Sequence, residues 1–226
     1  MVKVKICGIT SQDDALAAVD AGADSLGLNF VGGPRQIERQ QAEEIIKVLP
    51  ACVPVTALVR LENGQLAKEQ QAWLEQQAIR YLQIYGEFRY ADLASLHGQG
   101  FTLWPVLTVG HASFEDNAAL WFSAEGPRAM GAIVLDTSDS RLAGGTGRTF
   151  RWDWVTQARQ DGRLAEWPPI ILAGGLRPEN VAEAIRTVEP YGVDVSSGVE
   201  KDGRPGFKDP ARMQAFVRNA RNAVEP

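Results

Sequence analysis

Cys7 and Asp136 are the two residues whose side chains could serve one acid–base reaction. Each closes a short apolar run of the sequence, at residues 2–7 and 132–136. A thiol and a carboxyl can each take a proton from a substrate or give one to it. Taken singly, a cysteine in a strand is usually a small buried hydrophobe, and a strand-end aspartate often caps a turn. Placed together at one cavity, they would supply a base and an acid.

Two glycine-containing stretches could hold an anion. They are LAGGL at residues 172–176 and VDVSSG at residues 193–198. Because glycine has no side chain, backbone N–H groups in such stretches can approach a phosphate closely. The expected phosphate-binding residues are Gly174, Gly175, Ser196, Ser197 and Gly198. A glycine pair taken by itself is more typical of an ordinary turn.

A third glycine-rich segment, GGTGR at residues 144–148, follows Asp136 in the chain. Glycine-rich connections of this kind can form mobile lids over an active site. They are also found as flexible surface loops that do not contact substrate. The sequence leaves both interpretations open.

The elements that must position these residues are eight strand-like runs alternating with helix-like segments. The apolar runs are residues 2–7, 25–30, 53–59, 81–84, 101–109, 132–136, 170–173 and 193–196. Helical spacing of apolar residues appears at 13–20, 40–49, 66–76, 179–188 and 210–223. Strict alternation predicts a parallel sheet. Eight such units predict an α/β fold, a single-domain (β/α)8 TIM barrel over residues 1–226, with an open doubly wound sheet as the alternative.

Local signals mark several helix ends. Ser11 and Asp14 form a capping-box pattern, and Asp209 precedes Pro210 as a cap before a first-turn proline. Gly22 follows the first helix. The segment between the fifth and sixth strands, residues 110–131, shows only a short helical pattern at 118–122. No helix is assigned there with its bounds.

The barrel topology decides where the chemistry should lie. In a TIM barrel, the loops after the strands surround one cavity at the carboxyl ends of the strands. Cys7 and Asp136 end the first and sixth strands, and the glycine stretches follow the seventh and eighth. We therefore expect all of them at one mouth.

Strand alternation also places charged residues beside Cys7. Lys3, Lys5 and Cys7 share a face of the first strand, and Asp194 and Ser196 share a face of the last. Acid–base chemistry needs a deprotonated thiol and a protonated carboxyl, so their pKa values must shift in opposite directions from about 8.5 and 3.9. Lys5, roughly 7 Å along the strand, could favour the thiolate while Asp194 partly offsets it. Lys5 could equally be only one member of a structural ion pair.

Composition excludes several functional classes. The net charge is −5 and no run of residues is apolar enough for a membrane span, so neither nucleic acid nor a membrane is expected as a partner. Residues 1–8 lack the apolar core of a secretory signal. Two cysteines are too few for a disulfide framework. The sequence thus predicts a cytoplasmic protein.

Several motifs in the same order give the chain a specific resemblance to the phosphoribosylanthranilate isomerase family. They are KICGIT at 5–10, GGTG at 144–147 followed by Thr149 and Phe150, LAGGL at 172–176 with PEN at 178–180, and YGVDVSSGVE at 191–200. The resemblance implies an aldose–ketose isomerase of tryptophan biosynthesis that uses no metal and no other cofactor. Its reaction is an Amadori rearrangement of N-(5-phosphoribosyl)anthranilate to a carboxyphenylamino-deoxyribulose phosphate.

The resemblance also implies residue roles. Asp136 would protonate the ring oxygen as general acid, and Cys7 would take the C2 proton as general base. Arg35 would bind the anthranilate carboxylate, which a guanidinium fork suits. The chain departs from the family at Gly33, which stands where serine is usual in a slightly longer loop. It departs again at Tyr85, which replaces a histidine and can hydrogen bond but does not titrate near neutrality.

Two other functions remain open at this stage. A phosphate site alone would also fit another sugar-phosphate isomerase or epimerase barrel. Such epimerases generally need metal ligands, and the chain has only two histidines. The other alternative is an inactive barrel that binds ligand without turnover. We expect a small phosphorylated substrate as the partner, and a monomer or homodimer.

Overall fold

The computed structural model describes residues 1–122, 129–137 and 150–223. Its strands are β1 Lys3–Cys7, β2 Ser25–Asn29, β3 Val55–Leu61, β4 Tyr81–Gly86, β5 Thr102–Val109, β6 Ile133–Thr137, β7 Ile170–Leu172 and β8 Gly192–Val195. They pair in parallel in chain order, and β8 pairs with β1, which closes the barrel. The predicted TIM barrel is confirmed with all eight strands, and the open doubly wound sheet is wrong.

Seven α-helices surround the barrel in the described part of the chain. They are α1 Gln12–Asp20, α2 Arg39–Val48, α3 Lys68–Gln76, α4 Tyr90–Gly98, α5 Asp153–Gln160, α6 Val181–Val188 and α7 Pro210–Asn222. Five of them match the predicted helical segments, with ends shifted by one or two residues, whereas α4 and α5 were not predicted. Each of these helices is too short or too polar to cross a membrane.

The connection between β5 and β6 contains a 3₁₀ helix, Phe114–Trp121, where the sequence showed only a weak helical pattern. Phe114, Ala118 and Trp121 are buried on one side of it. Their spacing of four and three residues explains the pattern. The helix begins earlier than the predicted 118–122, because Phe114 supplies its first buried contact.

The two predicted helix caps have different outcomes. Asp209 accepts two backbone N–H bonds at the start of α7, and Pro210 is the first helical residue, as predicted. Ser11 accepts from the backbone N of Asp14 at 3.1 Å. The capping box itself is not closed, because the carboxylate of Asp14 accepts from the backbone N of Lys208 at 3.1 Å. That bond instead ties α1 to the segment before α7.

The interior of the barrel changes in character along its axis. A small apolar cluster of Ala132, Val134, Ile171 and Ala173 lies on β6, β7 and the residues next to them, apart from the main core between strands and helices. Lys5, Gln83 and Asp194 are 3%, 2% and 7% exposed, so charged and polar groups fill the middle. The predicted lid, residues 144–148, lies outside the described residues.

Candidate active site

A pocket at the carboxyl ends of the strands holds most of the predicted site residues. It contains about 530 Å³ of atom-free space, part of it open to solvent. Its lining includes Cys7, Arg35, Asp136, Gly174, Gly175, Asp194, Ser196 and Ser197. The structure therefore brings the thiol of Cys7, the carboxyl of Asp136 and the two glycine-containing stretches to one mouth.

Gly198 is the predicted phosphate residue that is not part of this lining. A side chain there would collide with the backbone carbonyl of Leu176, in the loop after β7. The glycine thus lets the loops after β7 and β8 pack directly against each other. Its predicted role in phosphate binding stays a prediction.

The remaining glycine and serine residues form a cradle with free backbone donors. Among the described residues, the N–H groups of Gly175 and Ser197 have no hydrogen-bond acceptor. Gly174 has a φ of 80°, in the left-handed region that favours glycine. A side chain at Gly174 would also lie 2.8 Å from Oδ1 of Asp136. The cradle and the acid are therefore built directly against each other.

Cys7 ends β1 with its side chain almost enclosed, since the residue is 6% exposed. Burial raises the pKa of the thiol, Lys5 lowers it, and Asp194 raises it again. The opposing effects of Lys5 and Asp194 are those predicted. Burial outweighs Lys5, however, so the thiol is protonated at neutral pH in the free protein. The expectation that the resting site favours the thiolate is wrong.

Asp136 ends β6 and is 8% exposed. Burial raises the pKa of its carboxyl to about 6, although the backbone N–H of Thr137 donates to Oδ1 at 2.8 Å and lowers it in part. The predicted direction is confirmed for this residue. Because burial dominates at both positions, the pKa values of Cys7 and Asp136 shift in the same direction rather than in opposite directions.

Lys5 and Asp194 form the predicted ion pair beneath the pocket. Nζ of Lys5 lies 2.7 Å from Oδ2 of Asp194 and donates to Oε1 of Gln83 at 2.8 Å. Nε2 of Gln83 then donates to Oη of Tyr85 at 3.0 Å. Gln83 was not predicted as a functional residue. Its position two residues before Tyr85, on the same face of β4, was the available signal.

Arg35 lines the pocket as predicted, and a carboxylate orients it. Nε and Nη2 of Arg35 donate to the two oxygens of Glu200 at 2.7 and 2.8 Å. Glu200 also accepts from Nζ of the fully buried Lys208 at 3.0 Å. Burial raises the pKa of Glu200, but the hydrogen bonds and charges of Arg35 and Lys208 lower it by more than burial raises it. The pKa of the carboxyl is therefore below its usual value, and Glu200 stays ionised. The guanidinium keeps its other edge for a second carboxylate.

Glu200 and Lys208 were not predicted as site residues. Glu200 belongs to the VDVSSGVE run after β8, so its charge at the end of a motif was a usable signal. Lys208 stands beside the predicted cap Asp209, and nothing in its neighbours distinguishes it from a surface lysine. His97 and His111 are exposed, as expected.

Comparison with known proteins shows which family the chain resembles. Residues 4–219 match the family model described as N-(5'phosphoribosyl)anthranilate (PRA) isomerase. An N-(5'-phosphoribosyl)anthranilate isomerase of Haloferax volcanii is 40% identical over 232 residues, covering 100% of this chain and 97% of that protein. The crystal structure of the phosphoribosyl anthranilate isomerase of Thermotoga maritima has a TM-score of 0.82 and 30% identity, covering 98% of this chain and 100% of that one.

A further solved structure of this kind contains a ligand. It is a phosphoribosyl anthranilate isomerase in complex with reduced 1-(o-carboxyphenylamino)-1-deoxyribulose 5-phosphate. It has a TM-score of 0.79 and 29% identity, and the match covers 98% of this chain and 100% of that one. The chain described here belongs to the N-(5'-phosphoribosyl)anthranilate isomerase family.

Proposed function

We propose that this chain isomerises N-(5-phosphoribosyl)anthranilate to 1-(2-carboxyphenylamino)-1-deoxyribulose 5-phosphate, with Cys7 as general base and Asp136 as general acid. The observation that carries the proposal is the convergence of a thiol from β1 and a carboxyl from β6 beside a glycine cradle, in one pocket. Membership of the family supports the identity of the substrate. This reaction is an aldose–ketose isomerisation of the tryptophan pathway.

The two anionic ends of the substrate have separate binding groups. The phosphate lies against Gly174, Gly175, Ser196 and Ser197, where free N–H groups are available for its oxygens. The anthranilate carboxylate binds the edge of Arg35 that Glu200 leaves free. A guanidinium can form two parallel hydrogen bonds with a carboxylate, so this edge fixes the orientation of the ring.

The chemistry uses one proton transfer at each catalytic residue. Asp136 gives its proton to the ring oxygen, the C1–O bond breaks, and the furanose opens to a Schiff base protonated on nitrogen. Cys7 then removes the proton on C2, and the electron pair of that bond moves toward nitrogen to give an enaminol. The enaminol tautomerises to the ketone. Both groups lie where one sugar can reach them.

The pKa shifts make the active protonation state a minority at neutral pH. An acid with a pKa of about 6 is roughly one-tenth protonated at pH 7. The Cys7 thiol is mostly protonated there, because burial raises its pKa. Lys5 and Lys208 both favour the thiolate. These two lysines limit the rise in the pKa of Cys7 that burial causes, so the thiolate needed for the reaction can still form.

We also propose a cytoplasmic location and a monomeric or homodimeric state. Cys7 and Cys52 are both free thiols. A thiol that acts as a base must stay reduced, and the cytoplasm maintains that state. The similar phosphoribosylantranilate isomerase of Thermotoga maritima is dimeric, and monomers of it have been generated, which supports a monomeric or homodimeric state.

The test is an assay on the purified protein with freshly generated N-(5-phosphoribosyl)anthranilate. We expect the fluorescence of the anthranilate group to fall at a rate proportional to protein concentration. Borodeuteride should then reduce the ketone of the product and place deuterium on C2, whereas reduction of the Schiff base of unreacted substrate would place it on C1. A fluorescence loss no faster than the spontaneous decay of the substrate would remove the proposed function.

A further inference from the structure

A buried chain of hydrogen bonds crosses the barrel below the pocket, from β8 to β4. Asp194 accepts from Lys5, Lys5 donates to Gln83, and Gln83 donates to Tyr85, at 2.7, 2.8 and 3.0 Å. Lys5, Gln83 and Asp194 are each less than a tenth exposed. Asp194, Gln83 and Tyr85 also line the pocket, whereas Lys5 does not. Each member therefore has its orientation set by its neighbour.

The direction of every bond in this chain follows from Lys5. A protonated lysine has three N–H donors and no acceptor, so the group of Gln83 that faces it must be the carbonyl oxygen. The reversed amide would place N–H groups against the ammonium at the same 2.8 Å. Because the carbonyl faces Lys5, the NH₂ group faces Tyr85. The phenol oxygen of Tyr85 therefore has to accept.

No member of this chain of hydrogen bonds accepts the proton of the Tyr85 hydroxyl. Gln83 is its only hydrogen-bond partner among the described residues. A phenol oxygen that accepts one bond still carries one O–H donor, and a buried donor without an acceptor is costly. Tyr85 lines the same pocket as Cys7 and Asp136. The free donor is therefore available to a molecule in that pocket.

We propose that Tyr85 is a substrate-binding residue whose hydroxyl donates a hydrogen bond to an oxygen of the sugar, and that Gln83 is the positioning residue that aims it. This proposal rests on the function proposed above. The sugar carries its hydroxyl groups between the phosphate and the anthranilate. It is therefore the part of the substrate that passes between Cys7 and Asp136.

The surroundings of Tyr85 keep it a donor at all working pH values. Burial, followed by the nearby Asp136 and Cys7, raises the pKa of the phenol well above its usual value. The hydroxyl thus stays protonated across neutral and mildly alkaline pH. It cannot replace Asp136 as the acid, so its contribution is binding and orientation.

The first test removes the donor alone. Tyr85→Phe keeps the ring but not the hydroxyl, and should lower kcat/KM by about threefold to tenfold, the size expected for one hydrogen bond between neutral groups. Affinity for reduced 1-(o-carboxyphenylamino)-1-deoxyribulose 5-phosphate should fall by the same factor. Inhibition by inorganic phosphate should not change, because the cradle lies on β7 and β8. Unchanged kcat/KM, or equal losses for the analogue and phosphate, would overturn the role of Tyr85.

The second test reverses the direction of the last bond. In Gln83→Glu, a carboxylate still accepts from Lys5 but has no N–H for Tyr85, so the phenol proton must turn away from the pocket and toward residue 83. We expect the same loss as in Tyr85→Phe, and no additional loss in the double variant. An equal cost of Gln83→Glu in both backgrounds would show that the new charge acts directly, and would refute the positioning role.

These outcomes separate the inference from the proposed function. A wild-type protein without isomerase activity would refute the function. The analogue titration of wild type and the Tyr85→Phe variant still tests the hydrogen bond in that case, because it measures binding alone. An active wild type with an equally active Tyr85→Phe variant would refute the inference and leave the function standing.

Discussion

The two ends of the barrel enclose cavities of opposite character. The cavity at the amino ends of the strands is the larger, with about 1140 Å³ of atom-free space against about 530 Å³ at the mouth. Tyr81, Trp104 and Ile171 give it apolar walls. The smaller mouth has the thiol, the carboxyl and the glycine cradle. Chemical character and strand direction therefore locate the site, whereas volume would select the wrong end.

The charges at the two ends are also treated differently. At the amino end, Asp24 is 25% exposed in its side chain and pairs with both Lys3 and Arg221. Beneath the mouth, Asp194 is enclosed and its Oδ1 has no hydrogen-bond partner among the described residues. Enclosed charges cost free energy of folding unless they are fully paired. The enclosed charge at the mouth thus lowers the stability of the fold, and the more exposed, doubly paired Asp24 does not. Such a loss of stability is expected at a functional site.

The largest expected difference between the ends is catalytic. Cys7→Ala and Asp136→Asn should each lower kcat by about 100-fold or more, because each removes the proposed general base or general acid. The amino-end cavity provides a matched control in Cys52, the chain's other cysteine. Cys52→Ala should keep wild-type kcat and KM in the same fluorescence assay. Near-wild-type turnover in the Cys7 or Asp136 variant would remove that residue from the mechanism.

The second expected difference is the pH dependence of stability. The carboxyl of Asp136 has a pKa of about 6 in the folded protein and about 3.9 when unfolded. Below pH 4 the carboxyl is protonated in both the folded and the unfolded state, so it does not change the free energy of unfolding. Between pH 4 and 6 only the unfolded chain ionises, so wild-type stability falls by up to about 3 kcal/mol and stays lower above pH 6. Asp136→Asn should therefore stabilise the protein at pH 8 relative to pH 4.

Asp24 gives the opposite sign at the amino end. Burial raises the pKa of Asp24, but the backbone N–H of Val4 and the side chain of Arg221 lower it by more, so the pKa is below its usual value. Its ionised form therefore stabilises the folded state at neutral pH, and that contribution is lost as the pH falls through the folded pKa. Asp24→Asn should destabilise at pH 8. Urea unfolding of both variants at pH 4 and 8 measures the two effects, and shifts of the same sign would contradict the comparison.

Much of this contrast was predictable from sequence. Cys7, Asp136 and the glycine stretches were found because strand ends and glycine pairs are local features, and the barrel rule then places them at one mouth. The Lys5–Asp194 pair followed from alternation on neighbouring strands. These inferences need only the order of elements along the chain.

What the sequence did not predict depends on distance in the fold. Arg35 and Glu200 are 165 residues apart, so no local pattern joins them. The pKa of Cys7 was predicted in the wrong direction because periodicity shows which face a residue lies on, and not how completely the surrounding protein excludes water. Helix α4 was missed because its first residues carry no side-chain cap of the usual serine, threonine, aspartate or asparagine type.

The third expected difference concerns the two arginine–carboxylate pairs. Arg35→Gln should lower kcat/KM by about tenfold, mainly through KM, because a charge-assisted bond to the anthranilate carboxylate is lost. Glu200→Gln should have a smaller effect in the same direction, since Arg35 keeps its charge but loses its orientation. The matched control is Arg221→Gln, whose guanidinium pairs with Asp24 at the amino end. A KM change in the control as large as in Arg35→Gln would show that the effect is general electrostatics.

The smallest expected effect concerns β7, which connects the cavity at the amino end to the mouth. It is a strict test of the comparison because a change at one end of this strand could reach the other. Ile171 on β7 lines the amino-end cavity, and Ala173, the residue directly after β7, lines the mouth. Ile171→Val removes one buried methyl group and should destabilise the protein by about 1 kcal/mol. We expect kcat and KM to stay within about twofold of wild type, since losses of packing at this end do not touch the groups that meet substrate. A larger change in kcat would mean that packing at the amino end sets the geometry of the mouth through β7, and the two ends would then have to be treated as one coupled site.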